Sequence, residues 1–228
     1  VDGRYALALG VMVVLVFSAA MAGLTVGSVS IPLRTALSIL LHWLSGGLLL
    51  DPDWRAAHEI IIVQTRIPRV ILAAVVGASL GVAGMVIQAI VRNPLAGPSI
   101  LGVSSGAATG AVVVMRFGLV AFGALTLHIA AFIGGLIALS VVFWIARTGG
   151  HMTPTRLVLA GIAVSAILSA LTSLLVLTSP DPQLAARVLF WTLGGFGSAQ
   201  WKILPLPVMA LAIGLAIVSR QVILSLLA

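Results

Sequence analysis

The residues best suited to bind a charged partner are two arginines on either side of a proline, in the run Arg66-Ile67-Pro68-Arg69. An exposed guanidinium pairs with a carboxylate through two parallel hydrogen bonds, so this pair could dock an acidic protein surface. The same charges could equally hold lipid headgroups at a membrane boundary. The residues alone leave both interpretations open.

Nothing in the sequence predicts covalent chemistry. The run 102–106 matches the Gly-x-Ser-x-Gly pattern, but that pattern places a nucleophile only at a strand-to-helix turn with an acid and a histidine to follow. Here it opens an apolar segment, and Asp181 is the only acidic residue after it. The four histidines lack the spacing of metal ligands, and there is no cysteine. We predict no catalytic residue, no metal site and no cofactor.

The elements that must position these residues are membrane-spanning helices. Of 228 residues, 61% are hydrophobic and 7% are charged, whereas a soluble domain carries about 25% charged residues. One span needs roughly 20 apolar residues. The composition therefore predicts an all-α integral membrane protein, a single domain over 1–228 with about six transmembrane helices, near residues 5–26, 70–90, 101–115, 120–146, 157–178 and 203–219.

The basic residues are spread singly at the ends of apolar runs rather than clustered. This pattern favours contact with membrane lipid and argues against nucleic acid, despite a net charge of +7. With the N-terminus inside, more of these residues fall outside than inside, against the usual tendency, so the outer excess needs another cause. The segment 31–44 is too short to span and is predicted to be an interfacial helix.

The predicted spans contain no aspartate or glutamate. Carriers coupled to protons or sodium usually hold the ion on a carboxylate at mid-membrane, so ion-driven transport is disfavoured. Small residues recur at four-residue spacing, which lets helix backbones approach closely. We predict that helices pack through Gly77, Gly81, Gly102, Gly106 and Gly110.

Several runs, in order, closely resemble the FecCD-type permease family, the membrane subunits of bacterial ABC importers for iron-siderophores, haem and cobalamin. The resemblance covers nearly the whole chain. Its motifs are the run 66–69, Gln88, the turn Asn93-Pro94-Leu95-Ala96-Gly97-Pro98, Leu101-Gly102, Ser105-Gly106-Ala107, and the runs 156–166 and 191–201.

The resemblance implies a multi-pass protein of the bacterial inner membrane that does no covalent chemistry. Partners would be a second permease, most simply a homodimer, a periplasmic substrate-binding protein outside, and cytoplasmic ATPase subunits that hydrolyse ATP. It also implies roles for named residues: binding-protein docking at Arg66 and Arg69, and a cytoplasmic gate at Asn93, Pro94, Leu95, Thr153 and Thr155.

The resemblance also implies that the chain is C-terminally incomplete, because the family has about ten spans of roughly 20 residues each. The fold would then match the N-terminal part of a ten-helix permease. Two alternatives stay open: a secondary carrier or channel that works alone, and a non-functional truncated remnant. Uptake set by an ion gradient would favour the first.

Overall fold

The computed structural model describes residues 3–148 and 150–227, with their side chains except at residue 124 and from residue 222 on. The regular structure of this part is helical. Short 3-10 segments lie at Pro98–Leu101 and Gly123–Leu125. The α-helices are α1 (Gly3–Thr25), α2 (Leu33–Leu44), α3 (Ala56–Ile60), α4 (Ile67–Val91), α5 (Val103–Phe117), α6 (Thr126–Arg147), α7 (Pro154–Leu177), α8 (Leu184–Leu193) and α9 (Pro205–Leu227).

Four helical segments in the described part are long and apolar enough to cross a membrane: α1, the continuous run Ala56–Val91, α6 and α7. Shorter apolar helices accompany them at Leu33–Leu44, Val103–Phe117, Leu184–Leu193 and Pro205–Gln221. Apolar helices suit a bilayer because each satisfies its own backbone hydrogen bonds. The predicted all-helical membrane architecture is confirmed.

The second predicted span, 70–90, begins much earlier than the sequence suggested. The chain is already helical from Ala56, and the segment Ile61–Arg66 forms a π-helix directly before α4, so Pro68 lies inside the helical run rather than at its start. A proline inside a helix lacks one hydrogen bond and crowds the carbonyl four residues earlier. The wider π turn falls where that crowding would occur, so the helix continues through the proline.

Two other predicted spans are shifted. The expected span 101–115 is α5, which starts at Val103 because Gly102 takes a left-handed conformation (φ 75°) after the 3-10 turn. The expected span 120–146 starts at Thr126, since Gly118 (φ 60°) ends α5 and Gly123 (φ 58°) opens another 3-10 turn. The helix α8 follows α7 and was not predicted.

The chain forms two compact units. The first contains residues up to Ser79 and from Phe196 on, and the second is Leu80–Gly195. The first unit has a core of buried side chains from α1, the loop after it, α2 and the run after Ala56: Leu24, Ile31, Ala36, Ile39, Ile62 and Ile67. The predicted single domain over 1–228 stays a prediction.

The second unit is built around α5, α6 and α7. Its main core joins the end of α4, the turn that follows it, and facing sides of α6 and α7, through Ile87, Val91, Ala96, Leu101, Ala138, Val142, Ala146, Leu157, Ala160 and Val164. A smaller cluster packs α8 against α5 through Val112, Leu184 and Val188.

Candidate functional site

Arg66 is a buried side chain that holds backbone rather than an exposed charge. It is 6% exposed. Its Nη1 donates to the carbonyl oxygen of Leu24 over 2.6 Å, and its Nη2 donates to the carbonyl oxygen of Val29. The first acceptor lies in the last turn of α1, where backbone carbonyls lack helical partners and carry partial negative charge. Arg66 therefore fixes the end of α1 and the loop after it to the π-helical segment.

A glycine makes room for this guanidinium. A Cβ added at Gly27 would stand 2.9 Å from Nη2 of Arg66, closer than real contacts allow. Arg69, one turn further on, is exposed. The docking prediction assumed that both arginines are exposed, and this assumption is wrong for Arg66 and holds for Arg69. The acceptors of Arg66 are backbone oxygens, so the sequence carried no signal for them.

The turn after α4 is held by its own polar groups. Asn93 Oδ1 accepts a hydrogen bond from the Leu95 backbone N–H over 2.9 Å, and Gln88 Nε2 donates to the carbonyl oxygen of Pro94 over 2.9 Å. Arg92 ends the helix with a positive φ of 53°. The side chain of Leu95 is 88% exposed. The turn thus presents an exposed apolar side chain on a loop held by two side-chain hydrogen bonds.

The two threonines predicted for the gate differ in their contacts. Thr153 is the N-cap of α7, and its Oγ1 accepts a hydrogen bond from the Arg156 backbone N–H over 3.3 Å. Pro154 occupies the first helical position, where its missing N–H costs no hydrogen bond. Thr155 is exposed in the first turn. Thr153 therefore starts the helix, and Thr155 is free to meet another surface.

The turn 93–98 and the start of α7 lie at the same end of the second unit. Ala96 from the turn and Leu157 from the first turn of α7 are both buried in the main core of that unit. The segment Pro98–Leu101 also packs on α7, since a Cβ added at Gly161 would collide with the carbonyl oxygen of Ile100. The resemblance implied that these two regions form one gate; the fold brings the regions together, and the gate itself stays a prediction.

Of the predicted packing glycines, Gly106 and Gly110 contact another helix directly. A Cβ at Gly106 would meet the carbonyl oxygen of Gly134, and one at Gly110 would meet the carbonyl oxygen of Ala130. The contact is mutual, because a Cβ at Gly134 would collide with the carbonyl oxygen of Gly106. Helices α5 and α6 therefore touch backbone to backbone, as small residues allow in membrane bundles.

The other three predicted glycines behave differently. Gly77 and Gly81 have no atom of the described residues within 4 Å of an added Cβ, so their packing role stays a prediction. Gly102 serves the turn before α5 through its positive φ, and an added Cβ there would meet Ser165 Oγ at 3.3 Å.

Two polar contacts between α5 and α7 were not predicted. Arg116, in the last turn of α5, donates from Nη1 to the carbonyl oxygen of Leu175 over 2.5 Å and from Nη2 to that of Thr178 over 3.0 Å. Thr109 Oγ1 lies 2.9 Å from Thr172 Oγ1. The signal for these contacts in the sequence is an arginine at the end of an apolar run.

An apolar cleft of about 520 Å³ lies between α5, α6 and α7. Its described lining is apolar apart from Thr109, whose hydroxyl is already bonded. Such a surface suits a hydrocarbon group and offers nothing to a charged chelate. In the described residues, no three His, Asp or Glu side chains come together as metal ligands would.

Comparison with known proteins identifies what this arrangement is similar to. The model of the FecCD transport family matches residues 11–223. The achromobactin transport system permease protein CbrC of Dickeya dadantii is 40% identical over 189 residues, which cover 78% of this chain and 53% of that protein. The hemin transport system permease protein HmuU of Yersinia pestis is 38% identical over 201 residues, covering 87% and 56%.

A solved structure of an ABC transporter has a similar fold. An ABC transporter assigned to the metal-chelate type, in an inward-facing conformation, superposes with a TM-score of 0.66 at 29% identity. The match covers 85% of this chain and 55% of that one. The chain thus spans about half the length of the relatives that it matches.

Proposed function

The chain belongs to the FecCD transport family, and we propose that it forms part of the permease subunit of an ABC importer for an iron-siderophore, haem or cobalamin-type chelate. The observation that carries the proposal is the family match over residues 11–223, supported by relatives named for achromobactin and hemin transport. The chelate would pass between membrane helices, and the chain itself would make or break no covalent bond.

The proposed partners follow from this role. ATPase subunits on the cytoplasmic side would hydrolyse ATP, a periplasmic substrate-binding protein would deliver the chelate, and a second permease copy would complete the path. The proposed place is the bacterial inner membrane. The long apolar helices α1, α6 and α7 support a multi-pass arrangement there.

Docking of the binding protein is proposed at Arg69. Its exposed guanidinium can pair with a carboxylate of that protein. Arg66 stabilises the same surface from the protein interior, because its hydrogen bonds join the end of α1 and the loop after it to the segment that leads to Arg69. The excess of basic residues predicted for the outer side then has a physical cause.

The gate is proposed at the turn 93–98 and the start of α7. Leu95 and Thr155 are exposed there, while Ala96 and Leu157 hold both segments in one core. Asn93 and Pro94 fix the shape of the turn through their hydrogen bonds to Leu95 and Gln88. A rigid turn on a packed base can move as one piece when α7 moves.

Reconstituted vesicles test the proposed function. The protein is incorporated with its ATPase subunits, and uptake of radiolabelled ferric siderophore, haem and cobalamin is measured with and without ATP and binding protein. We expect uptake of one class that needs both. Uptake driven by a proton or sodium gradient alone would overturn the proposal in favour of a secondary carrier.

The docking site has its own test. Arg69→Glu should weaken binding of the substrate-binding protein by up to about fivefold at low salt, since an exposed ion pair contributes about 0–1 kcal/mol. Arg147→Glu, at the exposed end of α6, is the matched control and should leave the affinity unchanged. Equal effects of the two variants would remove Arg69 from the docking surface.

A further inference from the structure

Helix α2 shows three distinct faces. One face is buried against α1 and the π-helical segment through Ala36 and Ile39, which are 1% and 0% exposed. A second face carries polar side chains at Arg34, Ser38 and His42. A third face is a leucine stripe, the residues Leu33, Leu37, Leu41 and Leu44, which are between 37% and 66% exposed.

The stripe is continuous because of its spacing. Positions three and four apart lie on the same side of an α-helix, so the leucine stripe falls within about 80° of arc around α2. The polar face lies directly beside it. A helix with one apolar and one polar exposed face is typical of a membrane interface.

The fold places α2 at the end of a membrane-spanning helix. Leu24, in the last turn of α1, packs into the same cluster as Ala36 and Ile39. The rest of α1 exposes apolar side chains along its length. The bonds from Arg66 to Leu24 and Val29 fix the connection, so α2 sits at the level where α1 leaves the bilayer. The leucine stripe therefore lies beside the end of a helix whose exposed side chains are also apolar.

The loop after α2 extends the same surface. Leu48 and Leu49 are 89% and 70% exposed. The loop is folded back onto the helix, because His42 Nδ1 lies 2.6 Å from the carbonyl oxygen of Leu50. The exposed leucines are thus held in place rather than carried on a free segment.

We propose that α2 binds the membrane surface, with the leucine stripe among the acyl chains and Arg34, Ser38 and His42 among the phosphate headgroups. The inference rests on the proposed function only in requiring that α1 crosses the bilayer. Arg34 supplies the positive charge that anionic lipid phosphates attract. The alternative is that a second copy of the chain or a partner protein covers the leucine stripe.

Spin labelling distinguishes these occupants, and the absence of native cysteine makes single sites easy to label. Nitroxides are attached to Leu37→Cys, Leu41→Cys and Ser38→Cys in nanodiscs of phosphatidylethanolamine and phosphatidylglycerol. Collision rates are measured with oxygen, which partitions into lipid, and with a water-soluble nickel chelate. We expect the two leucine sites to favour oxygen several-fold over the chelate and the serine site to show the reverse.

Two results would overturn the inference. Leucine sites that meet the nickel chelate as readily as Ser38→Cys would place the stripe in water, and sites shielded from both reagents would mean that protein covers it. Leu33→Cys and Leu44→Cys repeat the measurement in case one label disturbs packing. Val13→Cys on α1 is the control: if it does not show the lipid pattern, the proposed membrane role fails rather than the role of α2.

Discussion

The contact between α5 and α6 in the second unit and the contacts of Arg66 and Trp201 in the first unit hold helices together by different means. In the second unit, α5 and α6 meet backbone to backbone through Gly106, Gly110 and Gly134. In the first unit, long side chains reach backbone oxygens instead: Arg66 holds the end of α1, and Trp201 Nε1 donates to the carbonyl oxygen of Val63 over 2.9 Å. The α5–α6 contact leaves no space for an added atom, whereas the contacts of Arg66 and Trp201 depend on a donor, as the contact of Arg116 does in the second unit.

The two kinds of contact are sensitive to different substitutions. Helices in lipid associate through close packing and hydrogen bonds, because surrounding tails are as apolar as the helices. A glycine contact is therefore weakened by adding a methyl group. A hydrogen-bonded contact is weakened by removing the donor, which leaves a carbonyl unpaired in apolar surroundings.

The largest effect is expected at the glycine contact. Gly106→Ala should lower the free energy of unfolding by about 3 kcal/mol, the upper part of the range for overpacking, because the new methyl meets the backbone of Gly134 rather than a flexible side chain. Unfolding in mixed micelles measures it. Gly77→Ala is the control and should change stability by less than about 1 kcal/mol, since its surroundings are open. Equal losses of stability in the two variants would contradict the view that Gly106 is tightly packed and that Gly77 is open.

A smaller effect is expected when the donor in the first unit is removed. Arg66→Met should cost about 2 kcal/mol, because the carbonyl oxygens of Leu24 and Val29 lose their partner. Arg66→Lys should recover only part of the loss. A lysine ammonium can still donate, but it lacks the forked guanidinium that reaches both oxygens. Arg69→Met, at an exposed position, should change stability by less than about 0.5 kcal/mol. If Arg69→Met were as harmful as Arg66→Met, burial would not explain the difference.

The smallest effect is expected at the tryptophan. Trp201→Phe keeps the aromatic contact with Trp43 but removes the bond to Val63, which should cost about 1 kcal/mol. Trp144→Phe is matched to it, because Trp144 is 73% exposed. The same unfolding experiment measures both variants. Equal losses of stability would contradict the role given to the bond from Trp201 to Val63.

Much of the fold could be predicted from composition and spacing. Long apolar runs predict helices because each needs only its own backbone bonds in lipid. The start of α4 escaped prediction because a π turn before Pro68 lets the helix continue, and nothing in the residue types marks such a turn. The short helix 31–44 was recognised as too short to span, and α2 occupies it from Leu33.

The candidate site was predicted in part for a different reason. Four-residue glycine spacing describes one helix, so it could not tell that Gly106 and Gly110 face α6 while Gly77 and Gly81 face open space. The burial of Arg66 was hidden as well, because its acceptors are backbone oxygens 42 and 37 positions away. A pattern of residue types describes side chains, so it does not indicate which backbone oxygens a distant side chain will bind.

Labelling from the two sides of the membrane tests whether α4 crosses the bilayer, with Arg69 on the outer side and Leu95 on the inner side. Helix α4 has 25 residues and is about 37 Å long at 1.5 Å per residue, enough to cross a bilayer. An impermeant maleimide is applied to intact spheroplasts and to inverted vesicles that carry Arg69→Cys or Leu95→Cys. We predict that Arg69→Cys reacts only in spheroplasts and Leu95→Cys only in inverted vesicles. Reaction of both variants from the same side would mean that α4 does not cross the bilayer between Arg69 and Leu95.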